Sequence, residues 1–369
     1  MRKPYRVIVW GPGVIGNALL REIIAKPELE LVAVRGYNPD KVGRDVGEYL
    51  GGKSIGVHIT DDDEAIIAAQ ADCVLFCPSI NMKLDMDSEG TKLVCRMLES
   101  GKSVITSVGL WYPRFHSQAL EDKVQAACKK GGVCFHATGV HPNLIYERII
   151  ATLTGATTRL KYIKMQEISD NRALDSVDMM RALGYGQDIA ETPWIQNIGD
   201  DGYSECLAQT CDLLGVKLER IEMEKRYFVA RRDIKIATMT VPKGTKAGLD
   251  YLYHAIVDGK RFLTIEEILY IDPADLPAEL ADAPADCYTI TIEGEPVSVK
   301  CRMELLASAE KNLRFREGDT VIPGYYATLV PMIQTIPIVC GAEPGIVYPH
   351  TFVNYVPDLR LTKSPLIVR

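Results

Sequence analysis

The stretch YRVIVWGPGVIGNALL, Tyr5–Leu20, decides the fold. Val7–Trp10 is a short apolar run that reads as a buried strand. Gly11, Gly13 and Gly16 then fit the spacing G-x-G-x-x-G, and an apolar helical pattern from Val14 to Ile24 begins inside the motif. Strand, glycine turn and helix in that order are the context of a dinucleotide-binding turn. Gly11 permits the tight turn, Gly13 lets backbone approach a pyrophosphate, and Gly16 lets the helix pack close to the strand. The free N–H groups at the helix start, around Val14 and Ile15, then face the phosphates together with the positive end of the helix.

Outward from this turn, strand and helix patterns alternate. Leu29–Gly36, Asp72–Cys77, Ser103–Ser107 and Val133–Ala137 read as strands. Asp61–Gln70, Ser88–Ser100 and Phe115–Lys130 read as helices. Such alternation predicts a parallel, doubly wound α/β sheet over residues 1–150. Beyond it the pattern changes. Arg159–Ile168, Lys217–Ala230, Ile234–Val241 and Leu249–Val257 read as strands, with helices near Ser176–Leu183 and Gly202–Leu214. Hairpin signals stand at Asp258-Gly259 and Glu293-Gly294. A second, α+β domain with a largely antiparallel sheet is expected over 151–322, its acidic, proline-rich stretch Asp272–Asp286 being a solvated surface connection. Residues 323–369, which include the apolar run Tyr325–Cys340 with Pro331 and Pro337 inside it, are expected to form a proline-kinked helix and to return to the first domain.

Composition excludes several classes. The chain has 369 residues, a net charge of −7 and no long basic run, which argues against nucleic acid and anionic membranes as partners. No apolar run approaches the length of a membrane span. The nucleotide turn begins at once, leaving no room for a signal peptide. Ten cysteines without a C-x-x-C read as buried thiols in a reducing compartment, so a cytoplasmic location is expected. The histidines lack metal-ligand spacing, and no metal is expected.

The position about 20 residues past the glycine motif separates the two nicotinamide cofactors, an acid there suiting NAD and a base NADP. Arg35 stands there, with Lys41 and Arg44 beyond it, which favours NADP with NAD also usable. Ligands bind outside the carboxyl ends of such a sheet. Those ends include Pro78 and Ser79, Thr106 in TSVGLWYP, and the segment TGVHPN. The last two bring Trp111, Tyr112, His141 and Asn143 to the edge where the nicotinamide half belongs. Tyr112 or His141 can supply the proton that accompanies hydride transfer. Trp111 and Asn143 are candidate substrate contacts. In the second domain, Glu167 and Asp170 can bind a substrate ammonium, Asp170 alternatively capping a helix.

Taken together, VIVWGPGVIG, NPDKVGRDVGE, ATGVHPN, DSVDMMRALGYG (Asp175–Gly186) and TIPIVCGAEPGIV (Thr335–Val347) resemble the dihydrodipicolinate-reductase-like oxidoreductases, in particular 2,4-diaminopentanoate dehydrogenase and the native amine dehydrogenases. The resemblance spans nearly the full length. It implies an NAD(P)-dependent enzyme with a Rossmann domain and an α/β substrate domain, a homodimer, acting on a small molecule. The typical reaction interconverts a carbonyl plus ammonia with a primary amine through an imine. The amine dehydrogenases of this group carry a glutamate just before Tyr-Pro in the loop after the fifth strand. Here Gly109 and Leu110 stand in its place, and the HHxxK type of motif is also absent. Reduction of a carbonyl or an activated C=C, or a nucleotide-binding sensor without chemistry, are therefore the competing readings.

Overall fold

The computed structural model describes residues 3–79, 82–174, 177–193, 196–236, 238–280, 286–306 and 323–349. Along the chain run β1 (Tyr5–Trp10), α1 (Val14–Ala25), β2 (Leu29–Arg35), α2 (Val46–Tyr49), β3 (Ile59–Thr60), α3 (Asp63–Ala68), β4 (Cys73–Phe76), α4 (Glu89–Glu99), β5 (Ser103–Thr106), α5 (Pro113–His116), α6 (Gln118–Gly131) and β6 (Cys134–Ala137). A π-helical turn over Leu144–Ile149 leads to α7 (Ile150–Leu153), β7 (Arg159–Asp170), α8 (Val177–Ala182), α9 (Gln196–Leu213), β8 (Arg220–Val229), β9 (Ile234–Lys235), β10 (Thr240–Val241), β11 (Lys246–Val257), β12 (Lys260–Tyr270), β13 (Asp286–Glu295) and β14 (Val299–Glu304). The described chain ends with α10 (Pro323–Gly341) and β15 (Gly345–Ile346). Two compact units result. One comprises Met1–Ile145 with Leu306–Pro349; the other is built on Tyr146–Leu305.

The first unit holds a seven-stranded sheet in the order β3-β2-β1-β4-β5-β6-β15, parallel throughout. The 3-2-1-4-5-6 core is the doubly wound dinucleotide-binding order, with its switch point between β1 and β4. Its strands are short and apolar on both sides because helices cover both faces. Val7, Val9 and Leu75 pack with Leu19 and Ile23 of α1 and with Leu329, Met332 and Ile336 of α10. Ile8, Trp10 and Phe76 pack on the other face with Val94, Leu98, Leu120 and Val124. α10 runs unbroken through Pro331 and Pro337.

The second unit is a six-stranded sheet, β14-β13-β7-β12-β11-β8, antiparallel at every pairing except β12–β7. Its details depart from expectation in three places. Ile234–Val241 is not one strand but the two short strands β9 and β10, paired antiparallel. The helix expected from Gly202 starts at Gln196. The stretch after Asp272 is no solvated connection. Leu276 is buried in a cluster with Ile168 and Ile268, and Asp272 and Asp275 are buried against Arg232 and Arg231. Two carboxylates drawn under by arginines look, in sequence, like an acidic loop. Residues 281–285 of that stretch lie outside the described residues, as do Asp175 and Ser176 of the DSVDMMRALGYG motif, Ile80 and Asn81, and the chain beyond 349. In the first unit, the helix expected over Phe115–Lys130 is divided at Ser117, whose extended backbone ends α5 and whose hydroxyl caps α6 by accepting from Leu120 N–H. Among the described residues no helix is long and apolar enough to cross a membrane.

The packing of α6 against α4 depends on Gly131. A Cβ there would lie 1.9 Å from the Leu98 carbonyl oxygen. Gly131→Ala is expected to destabilise the chain by about 1–3 kcal/mol, the usual cost of overpacking. Calorimetry should register it as a lower unfolding midpoint, about 2–4 °C per kcal/mol.

Candidate active site

The carboxyl ends of the strands are tied together by backbone hydrogen bonds. Gly11 N–H donates to Arg35 O (2.8 Å), Cys77 to Trp10 O (2.9 Å), Ser107 to Phe76 O (3.3 Å) and Thr138 to Thr106 O (2.9 Å). These four bonds line up the turns after β2, β1, β4, β5 and β6 along one edge. The glycine turn sits at the switch point, and its geometry fits a bound pyrophosphate. Gly11 has φ +88°. A Cβ on Gly11 would stand 2.0 Å from Cys77 O, and one on Gly16 would stand 2.0 Å from Gly11 O. At Gly13, by contrast, a Cβ would meet nothing within 4 Å. The turn thus opens only where a phosphate needs room. No side chain caps α1, so the N–H groups of Val14 and Ile15 in its first turn suit an anion, beside the exposed Val14 side chain.

At the adenosine end of the edge, Arg35 is only 7% exposed. Its Nε donates to Asp63 Oδ1 at 2.6 Å, and its Nη1 donates to Gly36 O. The guanidinium lies 4.3 Å from the centre of the Tyr37 ring, and Tyr37 OH accepts from Trp10 Nε1 at 2.7 Å. Lys41 reaches back over the glycine turn and donates from Nζ to Pro12 O at 2.8 Å. Arg44 is exposed and stacks on Tyr49. Sequence reasoning identified Arg35 but not Asp63, which lies 28 positions away at the start of α3.

Farther along, Pro78 is buried and Ser79 exposed. Burial pushes the Cys77 thiol up to about 12, so it stays protonated. Thr106 folds back, its hydroxyl accepting from Val108 N–H (3.0 Å) and donating to Val108 O (2.7 Å). The loop that follows holds Gly109 and Leu110, both at positive φ (63° and 52°). A Cβ at Gly109 would lie 2.5 Å from Leu84 Cδ1, and Leu110 is buried. The position where the resemblance places a glutamate is therefore closed to one, by backbone conformation and by Leu84 together. Trp111 is half-buried. Tyr112 is buried, its ring edge-on to Tyr348 at 5.3 Å between centres, and Tyr348 OH donates to Glu121 at 2.8 Å. His141 is half-buried in a turn closed by the Gly139 N–H to Pro142 O bond (2.9 Å). Asn143 holds positive φ (87°), which asparagine tolerates, and is 1% exposed. Its amide donates to His136 Nε2 (3.0 Å) and Ala137 O (3.3 Å), while His136 Nδ1–H donates to Val347 O (2.6 Å). Asn143 thus fastens its own turn to the end of β6, while His136 ties β6 to the residue after β15. Among the described residues no group of side chains could hold a metal ion.

In the second unit, Glu167 is buried on one sheet face. It accepts from Tyr146 OH (2.8 Å) and Tyr288 OH (3.0 Å). Its register partner on β12 is Glu267, which accepts from Tyr203 OH at 2.5 Å. Burial and then the glutamate charges push the Tyr146, Tyr203 and Tyr288 hydroxyls well up, so these phenols remain donors. Glu267, and the three phenols contributed from α9, β13 and the π-helical turn, carried no local signal in sequence. Asp170, by contrast, accepts from Arg172 N–H (3.0 Å) and pairs with its guanidinium (2.8 Å). That is a turn cap.

A phosphate-binding turn at the switch point of an all-parallel sheet, with a mixed-sheet second unit, defines the class, an NAD(P)-dependent oxidoreductase. Comparison with known proteins narrows it. Residues 5–76 match the family described as dihydrodipicolinate reductase, N-terminus, and residues 144–354 match the 2,4-diaminopentanoate dehydrogenase C-terminal domain. An amine dehydrogenase of Streptomyces virginiae is 32% identical over 356 residues, covering 92% of this chain and 93% of that protein. The 2,4-diaminopentanoate dehydrogenase of Acetoanaerobium sticklandii is 24% identical over 362 residues, covering 95% and 92%. The solved amine dehydrogenase of Mycobacterium smegmatis shares the fold with a TM-score of 0.74 at 19% identity, over 96% of this chain and 98% of that one. The chain belongs to the 2,4-diaminopentanoate dehydrogenase and amine dehydrogenase family.

The open space at Gly13 gives a direct test of the turn. Gly13 has φ −85° and ψ −153°, which valine also adopts, so Gly13→Val is expected to fold normally and lose NADPH and NADH binding. Fluorescence titration after a thermal-unfolding check measures this. Wild-type affinity in the folded variant would place the phosphates elsewhere.

Proposed function

We propose that the enzyme interconverts a small primary amine with its imine and carbonyl, using NADP(H) in preference to NAD(H). The observation that carries the amine reading is the register pair of buried Glu167 and half-buried Glu267. Two carboxylates on adjacent strands stand about 5 Å apart at their backbones. Both accept hydrogen bonds from phenols, an arrangement that suits an ammonium group. The cofactor supplies or accepts the hydride. Tyr112 or His141 donates the accompanying proton, and Trp111 lines the substrate. Arg35, Lys41 and Arg44 give the adenosine end a surplus of cations, which supports NADP(H). The ten free thiols fit a reducing cytoplasm, and a homodimer is the expected assembly.

Leu110 and Gly109 themselves favour a second reading. With no acid in that loop, direct reduction of a carbonyl without ammonia is the alternative.

Incubation with NADPH and a panel of ketones, with and without ammonia, separates the two. Ammonia-dependent oxidation of NADPH is expected; equal rates without ammonia would support the carbonyl reading. Glu167→Gln and Glu267→Gln should each raise KM for the amine by about 10- to 100-fold, the scale of a hydrogen bond to a charged group, without weakening cofactor binding. Of Tyr112→Phe and His141→Ala, one should lower kcat by about 10²-fold or more. Near-wild-type kcat in both would move the donor elsewhere.

A further inference from the structure

We propose that Asp63 sets the balance between NADP(H) and NAD(H) by engaging the Arg35 charge in an ion pair. The inference rests on the NAD(P)-dependent reading above and adds a residue to it.

Arg35 ends β2, at the position whose charge sorts the two cofactors. By type it should add a full positive charge there. The structure commits that charge. The Arg35–Asp63 bond is 2.6 Å long, and the Arg35 side chain is 9% exposed against 39% for Asp63. A second guanidinium nitrogen is held by Gly36 O, and the plane of the group is fixed over Tyr37, which is itself pinned through its hydroxyl by Trp10. Three separate contacts therefore hold the arginine. What the edge presents outward is the half-exposed carboxylate of Asp63 and the Tyr37 ring, 46% exposed.

Asp63 has its backbone placed by its own helix. It is the first residue of α3, whose N-cap Asp62 accepts from Glu64 and Ala65 N–H. Its position is thus fixed by the helix, independently of Arg35. A carboxylate placed there does two things to a 2′-phosphate. It cancels the arginine's attraction, and it adds its own repulsion. Toward a 2′-hydroxyl it has no such penalty, because a carboxylate accepts from it. Lys41, bonded to the backbone oxygen of Pro12 and not to a carboxylate, is the cation left to face the phosphate. The result is an enzyme whose NADP(H) preference is carried by Lys41 and moderated by Asp63.

The test measures affinities for NADPH and NADH by nicotinamide fluorescence, on the full chain and without substrate. Asp63→Asn is expected to raise the ratio of NADPH to NADH affinity by about tenfold, the scale of one charge-assisted hydrogen bond. Asp63→Glu, which keeps the charge, should stay within about threefold of wild type, a difference too small for a lost charged bond. Arg35→Ala added to Asp63→Asn should erase most of the gain. An unchanged ratio in a folded Asp63→Asn variant overturns the inference, and so does a gain that survives Arg35→Ala. A wild-type chain that prefers NADH overturns the proposed NADP(H) preference alone, since the Asp63→Asn shift is read from the change in ratio. A wild-type chain that binds neither cofactor overturns both.

Discussion

The first unit depends on one close approach of backbone to backbone. Gly11 is wedged between the turn after β4 and the first turn of α1, so that a side chain at Gly11 would strike Cys77 O and one at Gly16 would strike Gly11 O. Glycine at both positions is the only way to bring three pieces of main chain into this contact. Once they are in contact, Gly11 N–H reaches Arg35 O and Cys77 N–H reaches Trp10 O, and the strand ends fall into line. The cofactor edge is a consequence of that alignment. Gly13, whose missing side chain leaves space instead of contact, serves the ligand and not the fold.

This difference between glycines also shows what sequence could and could not reveal. The doubly wound sheet was legible because its determinants are local: a glycine spacing, short apolar strands and capped helices. The second sheet's strands were legible by alternation. Where β9 and β10 were read as one strand, the periodicity of eight residues could not show that the chain folds back on itself. The site was legible only as residue types. Arg35 could be named, but its charge is decided by Asp63, a partner supplied by tertiary packing. Asn143 looked like a free amide on the binding edge, and its bonds go to His136 and Ala137. Asp272 and Asp275 looked solvated until their arginine partners, 40 or more positions earlier, came into view.

Charge is handled differently in the two units. In the first unit, acids are used to neutralise: Asp63 on Arg35, Glu121 on Arg114 at 2.7 Å. In the second, Glu167 and Glu267 share a sheet face on which Tyr146, Tyr288 and Tyr203 donate hydrogen bonds to them. Two like charges on adjacent strands raise each other's energy, and burial removes the water that would screen them. A phenol lowers this cost but does not cancel a charge.

The Gly109–Leu110 loop gives that pair its significance. Gly109 and Leu110 both hold positive φ, which L-residues adopt at a cost, and a Cβ on Gly109 would stand 2.5 Å from Leu84 Cδ1. Installing a glutamate there would require the loop to change its backbone conformation and Leu84 to leave the core formed with Trp10 and Phe76. The loop is therefore committed by packing to an apolar role. Among the described residues, Glu167 and Glu267 are the two carboxylates that stand in strand register with phenol donors in place. If the pair does not bind amine, the same packing argument turns the other way, and a loop without an acid leaves hydride transfer to a carbonyl as the reaction this scaffold can support.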